Sequence, residues 1–296
     1  MKRFLFVCML FAFLTPVIAG AAVAESPTET ARALSAGDVV VYDYGDIKLH
    51  AYRTGDNMND VCYALESKEG LVLLESTAYK ENVAAFSEYV RSLGKPLAGA
   101  FLSYHSNGYK SYGDVIIYAT RKALASWGEG GGVKALTDSF VQAFGDKVAA
   151  DLPSEADAKV QIVEEGQTLT VAGIEFKILA TSDGDDYGVE IPAIKAVYRH
   201  MMGSKVHNIL PAIPYIEAEI ADLRGYQAKG YELVLTSHHV PEGPEAVAEK
   251  IAYLERVKEL AASCKTRDEF IAAVKAAFPD YAGENYLEMS AGALYK

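Results

Sequence analysis

Leu97-Ala98-Gly99-Ala100-Phe101-Leu102-Ser103-Tyr104-His105-Ser106-Asn107-Gly108-Tyr109 is the stretch on which the architecture turns. The apolar run Leu97 to Leu102 reads as a buried strand, and Val115 to Tyr118 reads as a second one. A strand therefore delivers the polar side chains from Ser103 to Tyr109 to a loop at its carboxyl end. That loop holds one imidazole, His105, between two phenols, Tyr104 and Tyr109, and carries no carboxylate or thiol.

Upstream, short strands alternate with turns. Val39 to Tyr42, Ile47 to Tyr52, Val61 to Leu65 and Leu71 to Leu74 are separated by polar breaks such as Thr54-Gly55-Asp56-Asn57 and Lys68-Glu69-Gly70, which predicts an antiparallel sheet. Val83, Phe86, Val90 and Leu93 then recur at helical spacing until Gly94 and Pro96 stop the helix, so the next strand arrives by a crossover. Downstream, Thr120 to Phe144 reads as helix interrupted by the glycines at 130, 131 and 132. Thr168 to Tyr198 is rich in strands, Ile216, Ile220 and Leu223 mark a helix, and Tyr231 to Leu235 is a further strand. Val247, Ile251 and Leu254 form one helical stripe, and Thr266-Arg267-Asp268-Glu269 is a capping box for a helix burying Phe270, Val274 and Ala277. Strands, helix, strands, helix thus occur twice.

Half of the 296 residues are hydrophobic, enough for one large core. Residues 1–24 read as a signal peptide: a basic start at Lys2 and Arg3, an apolar stretch from Phe4 to Ile18 and a small-residue cleavage site at Ala22-Val23-Ala24. The expected location is exported, periplasmic or extracellular. The apolar stretch is shorter than the ~20 residues of a spanning helix, so no membrane association is expected after cleavage. Losing two basic and no acidic residues takes the formal charge from −12 to −14. So acidic a chain lacks the clustered Lys and Arg that nucleic acid or anionic lipid requires. Of the three cysteines Cys8 leaves with the signal; Cys62 and Cys264 either pair or remain buried thiols. No G-x-S-x-G elbow, Walker loop or G-x-G-x-x-G is present, which sets aside serine-hydrolase and nucleotide chemistry.

From about Val39 to about Lys258 the chain resembles the metallo-β-lactamase superfamily. Leu71-Val72-Leu73-Leu74-Glu75-Ser76-Thr77 is similar to the family's strand ending in an Asp-Thr-Gly type turn, with Glu75 in the Asp slot. Val189 to Tyr198 resembles the hairpin leading to a bridging Asp or Cys, a slot that falls at His200 or Met201. Leu233-Val234-Leu235-Thr236-Ser237-His238-His239 resembles the late strand and its histidine turn, which puts His238 on the last ligand position. The resemblance implies a four-layer αββα sandwich of α/β class spanning residues 25–296, with a C-terminal helical extension from about residue 245. It departs where the family carries T-H-x-H-x-D-H: the slots read Tyr104, Ser106, Gly108 and Tyr109, so a standard two-zinc site cannot form. The middle ligand falls near Ser182 or Asp183.

What the resemblance implies is one distorted, mononuclear site made from His105, Asp183, His200 and His238, with Tyr104, Tyr109, His207 and His239 lining the pocket. Each also has a plain structural reading: polar loop residue for His105, strand cap for His200, solvated turn for Asp183 with Asp185 and Asp186. Two functions follow. One is an exported metal-dependent hydrolase of an ester, lactone or amide, using one divalent zinc, iron or manganese ion. The other is a non-catalytic pseudoenzyme, without metal, that holds a small molecule or protein partner in the old cleft. Oligomeric state and substrate identity are not legible in the sequence.

Overall fold

The computed structural model describes residues 28–182, 186–201 and 203–295. The expected signal segment and Asp183 lie outside them. Eight strands form the first sheet in chain order: β1 (Thr28–Ala33), β2 (Asp38–Asp43), β3 (Lys48–Arg53), β4 (Val61–Glu66), β5 (Leu71–Leu74), β6 (Leu97–Phe101), β7 (Ile116–Ala119) and β8 (Lys159–Ile162). The first five pair antiparallel and the last four pair parallel. The crossover from β5 to β6 runs through α1 (Lys80–Ser92), while α2 (Arg121–Trp127) and α3 (Gly132–Phe144) follow β7. The second sheet has the order β13-β12-β11-β10-β9, built from β9 (Thr168–Val171), β10 (Ile174–Leu179), β11 (Gly188–Ile191), β12 (Ala196–Arg199) and β13 (Leu233–Thr236). Only β12 and β13 pair parallel there, because α4 (Ile213–Lys229) crosses between them. The chain ends in α5 (Pro244–Ser263), α6 (Arg267–Ala277) and α7 (Glu284–Leu294).

The layering follows from the two-residue period of strands. On β12, Ala196 and Tyr198 join the core between the sheets, whereas Val197 joins a second core with Ile216, Ile220, Leu223, Val247 and Leu254 of α4 and α5. The second sheet is therefore buried on both faces. On the other side, Phe86 of α1 stacks on Tyr52 of β3 at 4.9 Å. Helix, sheet, sheet, helix is the αββα order expected, and Phe101 of β6 meets Phe176 of β10 across the middle at 4.7 Å. Strands β1 and β8 and helix α7 lie outside the expected elements; β1 and α7 carry too little apolar periodicity to signal themselves. Thr266 caps the helix, accepting from Glu269 N–H at 3.2 Å, while the Glu269 carboxylate reaches back to Lys265 N–H at 2.8 Å rather than to Thr266. Ala277 is exposed and does not join Phe270 and Val274 in the core. Cys62 and Cys264 are both free thiols. Among the described residues, no helix is long and apolar enough to cross a membrane.

Lys250 of α5 is only 1 % exposed. It donates to the Val206 carbonyl at 2.9 Å and to Asn208 Oδ1 at 2.7 Å, just where His207 N–H donates to the Ala282 carbonyl at 2.9 Å. The lysine thus anchors the segment after β12 to the C-terminal helices. Burial lowers its ammonium to about 8, against the pull of Glu219 and Glu242. Above that pH the unfolded chain holds the proton that the folded protein has released, so this group adds stability as pH rises from about 8 toward the ordinary lysine value.

Two outcomes follow. Phe176→Ala should cost about 3 to 5 kcal/mol in urea unfolding, because it empties the space between the sheets. Lys250→Met should flatten the rise in urea midpoint that the wild type shows between pH 8 and 9.5, a window taken from the depressed lysine; an unchanged slope in the variant would remove Lys250 as its source.

Candidate metal centre

Four parallel strand ends meet at one place, where open α/β sheets ordinarily bind ligands. Glu75 follows β5, His105 follows β6, His200 follows β12 and His238 follows β13. The Glu75 carboxylate is completely buried. One of its oxygens accepts from Ser103 N–H at 2.7 Å and Ser103 Oγ–H at 2.6 Å, and the other accepts from His105 N–H. Glu75 itself has φ of +64°, a left-handed conformation rare for a long side chain. These three bonds hold that backbone and fix the path of the His105 loop. Burial pushes the Glu75 carboxyl up to about 7, against the pull of the Ser103 and His105 donors.

The other end of the loop is tied by Asn107, whose amide donates to the Ala149 carbonyl at 2.8 Å and to Thr137 Oγ1 at 3.2 Å. Gly108 follows with φ of +68°, and a Cβ there would lie 2.8 Å from Val83 Cγ1. A side chain at that position would press on Val83 and Ala149 and would hold a strained left-handed backbone.

His105, His200 and His238 converge. Nε2 of His238 lies 3.5 Å from Nε2 of His105 and 3.3 Å from Nε2 of His200. Their ring centroids are 5.1, 5.2 and 5.3 Å apart, with planes crossed at 63°, 73° and 70°. This is a nearly threefold propeller. A tetrahedral zinc ion with nitrogen ligands at about 2.0 to 2.1 Å sets those nitrogens about 3.3 Å apart, whereas octahedral bonds of about 2.1 Å ask for about 3.0 Å. The two separations at His238, 3.3 and 3.5 Å, lie nearer the tetrahedral value. Burial and the neighbouring imidazoles hold His200 well below the usual histidine range, and burial takes His105 to about 4. Both are therefore neutral at pH 7 and keep the lone pair that a metal needs.

Each imidazole has its own support. Tyr104 stacks on His200 with ring centroids 3.9 Å apart. Behind His200, the buried Arg199 donates to Asp222 Oδ2 at 2.7 Å, which also accepts from Ser182 N–H at 2.7 Å. Tyr63 holds the end of β13, donating to the Thr236 carbonyl at 2.8 Å and accepting from Thr236 N–H at 3.2 Å. Nδ1 of His238 faces the Met58 carbonyl at 3.3 Å and Asp60 Oδ1 at 3.4 Å.

The remaining expected residues are placed as follows. His239 packs against Gly203, where any Cβ would collide with it, and its Nδ1 lies 3.2 Å from a Glu242 carboxylate oxygen. With His238, Asp60, Asn59 and Arg53 it borders a cleft of about 620 Å³. His207 is not with the other imidazoles: it is buried beneath the C-terminal helices, with Nδ1 3.1 Å from the Tyr253 hydroxyl and its ring 5.6 Å from that of Tyr281. Tyr109 opens onto a separate surface cleft with Lys110 and Asp114, because the short helical turn from Tyr109 to Tyr112 carries it away from the site. Asp60 escaped the sequence reading altogether. An acid directly before the apolar run from Val61 to Leu65 reads equally well as a turn residue, so the sequence carries no signal for it.

No protein-family model matches the chain, and no curated protein matches it in sequence. Solved structures do match in shape, and the chain has the metallo-β-lactamase fold. It is similar to a beta-lactamase domain protein from Burkholderia ambifaria, with a TM-score of 0.63 and 12 % identity over 89 % of this chain and 88 % of that one. A metallo-beta-lactamase family protein from Thermus thermophilus gives a TM-score of 0.58 and 13 % identity over 84 % and 91 % of the two chains. A stereoselective inverting sec-alkylsulfatase from Pseudomonas sp. gives 0.55 and 18 % identity over 88 % of this chain, which spans only 50 % of the sulfatase. The scaffold is thus one that hydrolases use, and it carries a three-histidine cluster able to hold a metal ion.

Glu75→Ala should lower stability by about 2 to 4 kcal/mol in chemical denaturation, because it strands two buried N–H groups and a hydroxyl at about 1 to 3 kcal/mol each before relaxation. It should also move the His105 ring resonances in NMR spectra. A variant with wild-type His105 shifts would show that the carboxylate does not position the loop.

Proposed function

We propose that the protein is a mononuclear, zinc-dependent hydrolase of the metallo-β-lactamase fold, with His105, His200 and His238 as the three protein ligands. The observation that carries this reading is the propeller of three imidazoles, whose Nε2 atoms stand 3.3 and 3.5 Å from that of His238. Three lone pairs aimed at one point repel one another unless a proton or a cation lies between them, and burial keeps two of the rings unprotonated. A zinc ion with three histidine ligands supplies Lewis-acid polarisation of a carbonyl and acidifies water at neutral pH. The chain's own residues do the rest. Tyr104 fixes the plane of His200 by stacking on it, and the cleft bordered by His238, His239, Asn59 and Arg53 is large enough for a small ester, lactone or amide.

The pseudoenzyme reading keeps one observation in its favour: among the described residues, no carboxylate or thiolate joins the three histidines in the cluster. A protein that binds a small molecule in the same cleft would need none.

Metal content by plasma mass spectrometry separates the two. Protein purified without chelator and re-exposed to zinc, iron or manganese should hold about one zinc ion per chain. His105→Ala, His200→Ala and His238→Ala should each reduce that to background, and the loaded wild type should hydrolyse p-nitrophenyl acetate faster than any of them. No ion after all three exposures would leave the binding protein as the reading to pursue.

A further inference from the structure

We infer that Asp60 is the carboxylate that makes the imidazole tripod a divalent-cation site, by fixing the tautomer of His238. This rests on the metal reading above and goes one step beyond it. Asp60 is completely buried at the start of β4. Its two oxygens have different surroundings. Oδ2 accepts from Ala78 N–H at 3.0 Å, which anchors the side chain to the turn after β5. Oδ1 has no hydrogen-bond partner, although it is 3.4 Å from Nδ1 of His238. A buried carboxylate oxygen without a donor costs free energy, so its place here asks for a function.

The ring geometry supplies one. Nε2 of His238 points to the other two imidazoles, so Nδ1 points away from them, toward Asp60 Oδ1 and the Met58 carbonyl. Both of those atoms are acceptors only. The proton of a neutral His238 is therefore held on Nδ1, and the Nε2 lone pair is left free for an ion. Metal-bound histidines commonly donate their second nitrogen to a carboxylate in this way, which orients the ring and raises its basicity. Among the described residues, Glu75 is another buried carboxylate beside the tripod, and its oxygens are taken by Ser103 and His105. Asp60 is the one whose free oxygen faces a ligand ring. His238 stands between Asp60 and the other two imidazoles, so Asp60 is a positioning residue.

Asp60→Asn is the informative variant. An amide keeps the size and can still accept from Ala78 N–H, but its NH₂ then faces Nδ1 as a donor. That drives the His238 proton to Nε2, into the metal position. Full-length wild type, Asp60→Asn and His238→Ala should be titrated with Zn²⁺ against a chromophoric chelator. The tautomer of His238 should be read by ¹⁵N-edited NMR in the metal-free proteins, and metal-free stability by urea unfolding. The expected results are zinc affinity about 10- to 100-fold weaker in Asp60→Asn, a shift of His238 toward the Nε2–H form, and a metal-free urea midpoint no lower than wild type. A purely structural aspartate would do the opposite, lowering the midpoint and leaving the tautomer alone, and that result would overturn the inference. Equal zinc affinity in wild type and Asp60→Asn, with His238→Ala unable to bind, would also overturn it while leaving the tripod intact. A wild type that takes up no zinc would overturn the metal reading itself.

Discussion

The site depends first on one buried carboxylate. Glu75 closes β5 in a left-handed conformation and collects the backbone of the next strand's loop through Ser103 and His105. Without that clasp, the residues after β6 would be a free polar loop whose ordering would cost entropy at every position. With it, the backbone at His105 is held in place. The other two imidazoles rely on different anchors of the same kind. Arg199 and Asp222 tie the end of β12 to α4, and Tyr63 ties the end of β13 to β4 across the sandwich. Each histidine thus stands one or a few residues beyond a strand end held by a buried polar group, and the sandwich brings those ends together.

Such buried polar groups are costly unless they are satisfied, and here most of them are. The cost explains why they sit around one place. Burial beside the core between the sheets holds His200 and His105 unprotonated. Two unprotonated imidazoles beside buried acids favour a cation over a proton among the three rings. Packing and electrostatics therefore pull in one direction.

The layer order was legible in the sequence because it rests on periodicity. The apolar runs at Leu71 to Leu74 and Leu97 to Leu102, and the stripes through Ile216, Ile220 and Leu223, appear in the structure as the central strands and α4. Strand β1 and helix α7 were hidden because they lie at edges where few side chains are buried. Within the site, histidines at 105, 200 and 238 could be read as neighbours through the resemblance to the metallo-β-lactamase superfamily. His207 could not be separated from them, since only the three-dimensional course of residues 203–208 shows that it turns toward Tyr253 and Tyr281. Asp60 was invisible for a related reason. Its partner His238 is far away in sequence, and a single aspartate before a strand has no spacing to betray it.

The loop from Ser103 to Tyr109 also shows why a missing motif is weak evidence of a missing site. A histidine-rich motif places ligands at set intervals along one loop, but an ion responds only to where the nitrogens are. Here Asn107 is held by Ala149 and Thr137, and Gly108 packs against Val83 in a conformation open to few other residues. That anchoring leaves one imidazole, His105, facing inward, from a position between the usual ones. The two others come from the second sheet. Because β6 lies in one sheet and β12 and β13 in the other, the three rings approach from different directions, and their planes cross at 63° to 73°. Ligands drawn from a single short loop could not surround a point so evenly. Replacing a loop motif by a ligand set that bridges both sheets also couples the proposed ion to the sandwich: pulling the sheets apart would separate the nitrogens. On this argument the ion, once bound, would act as a cross-link between the two halves of the fold as well as the centre of its chemistry.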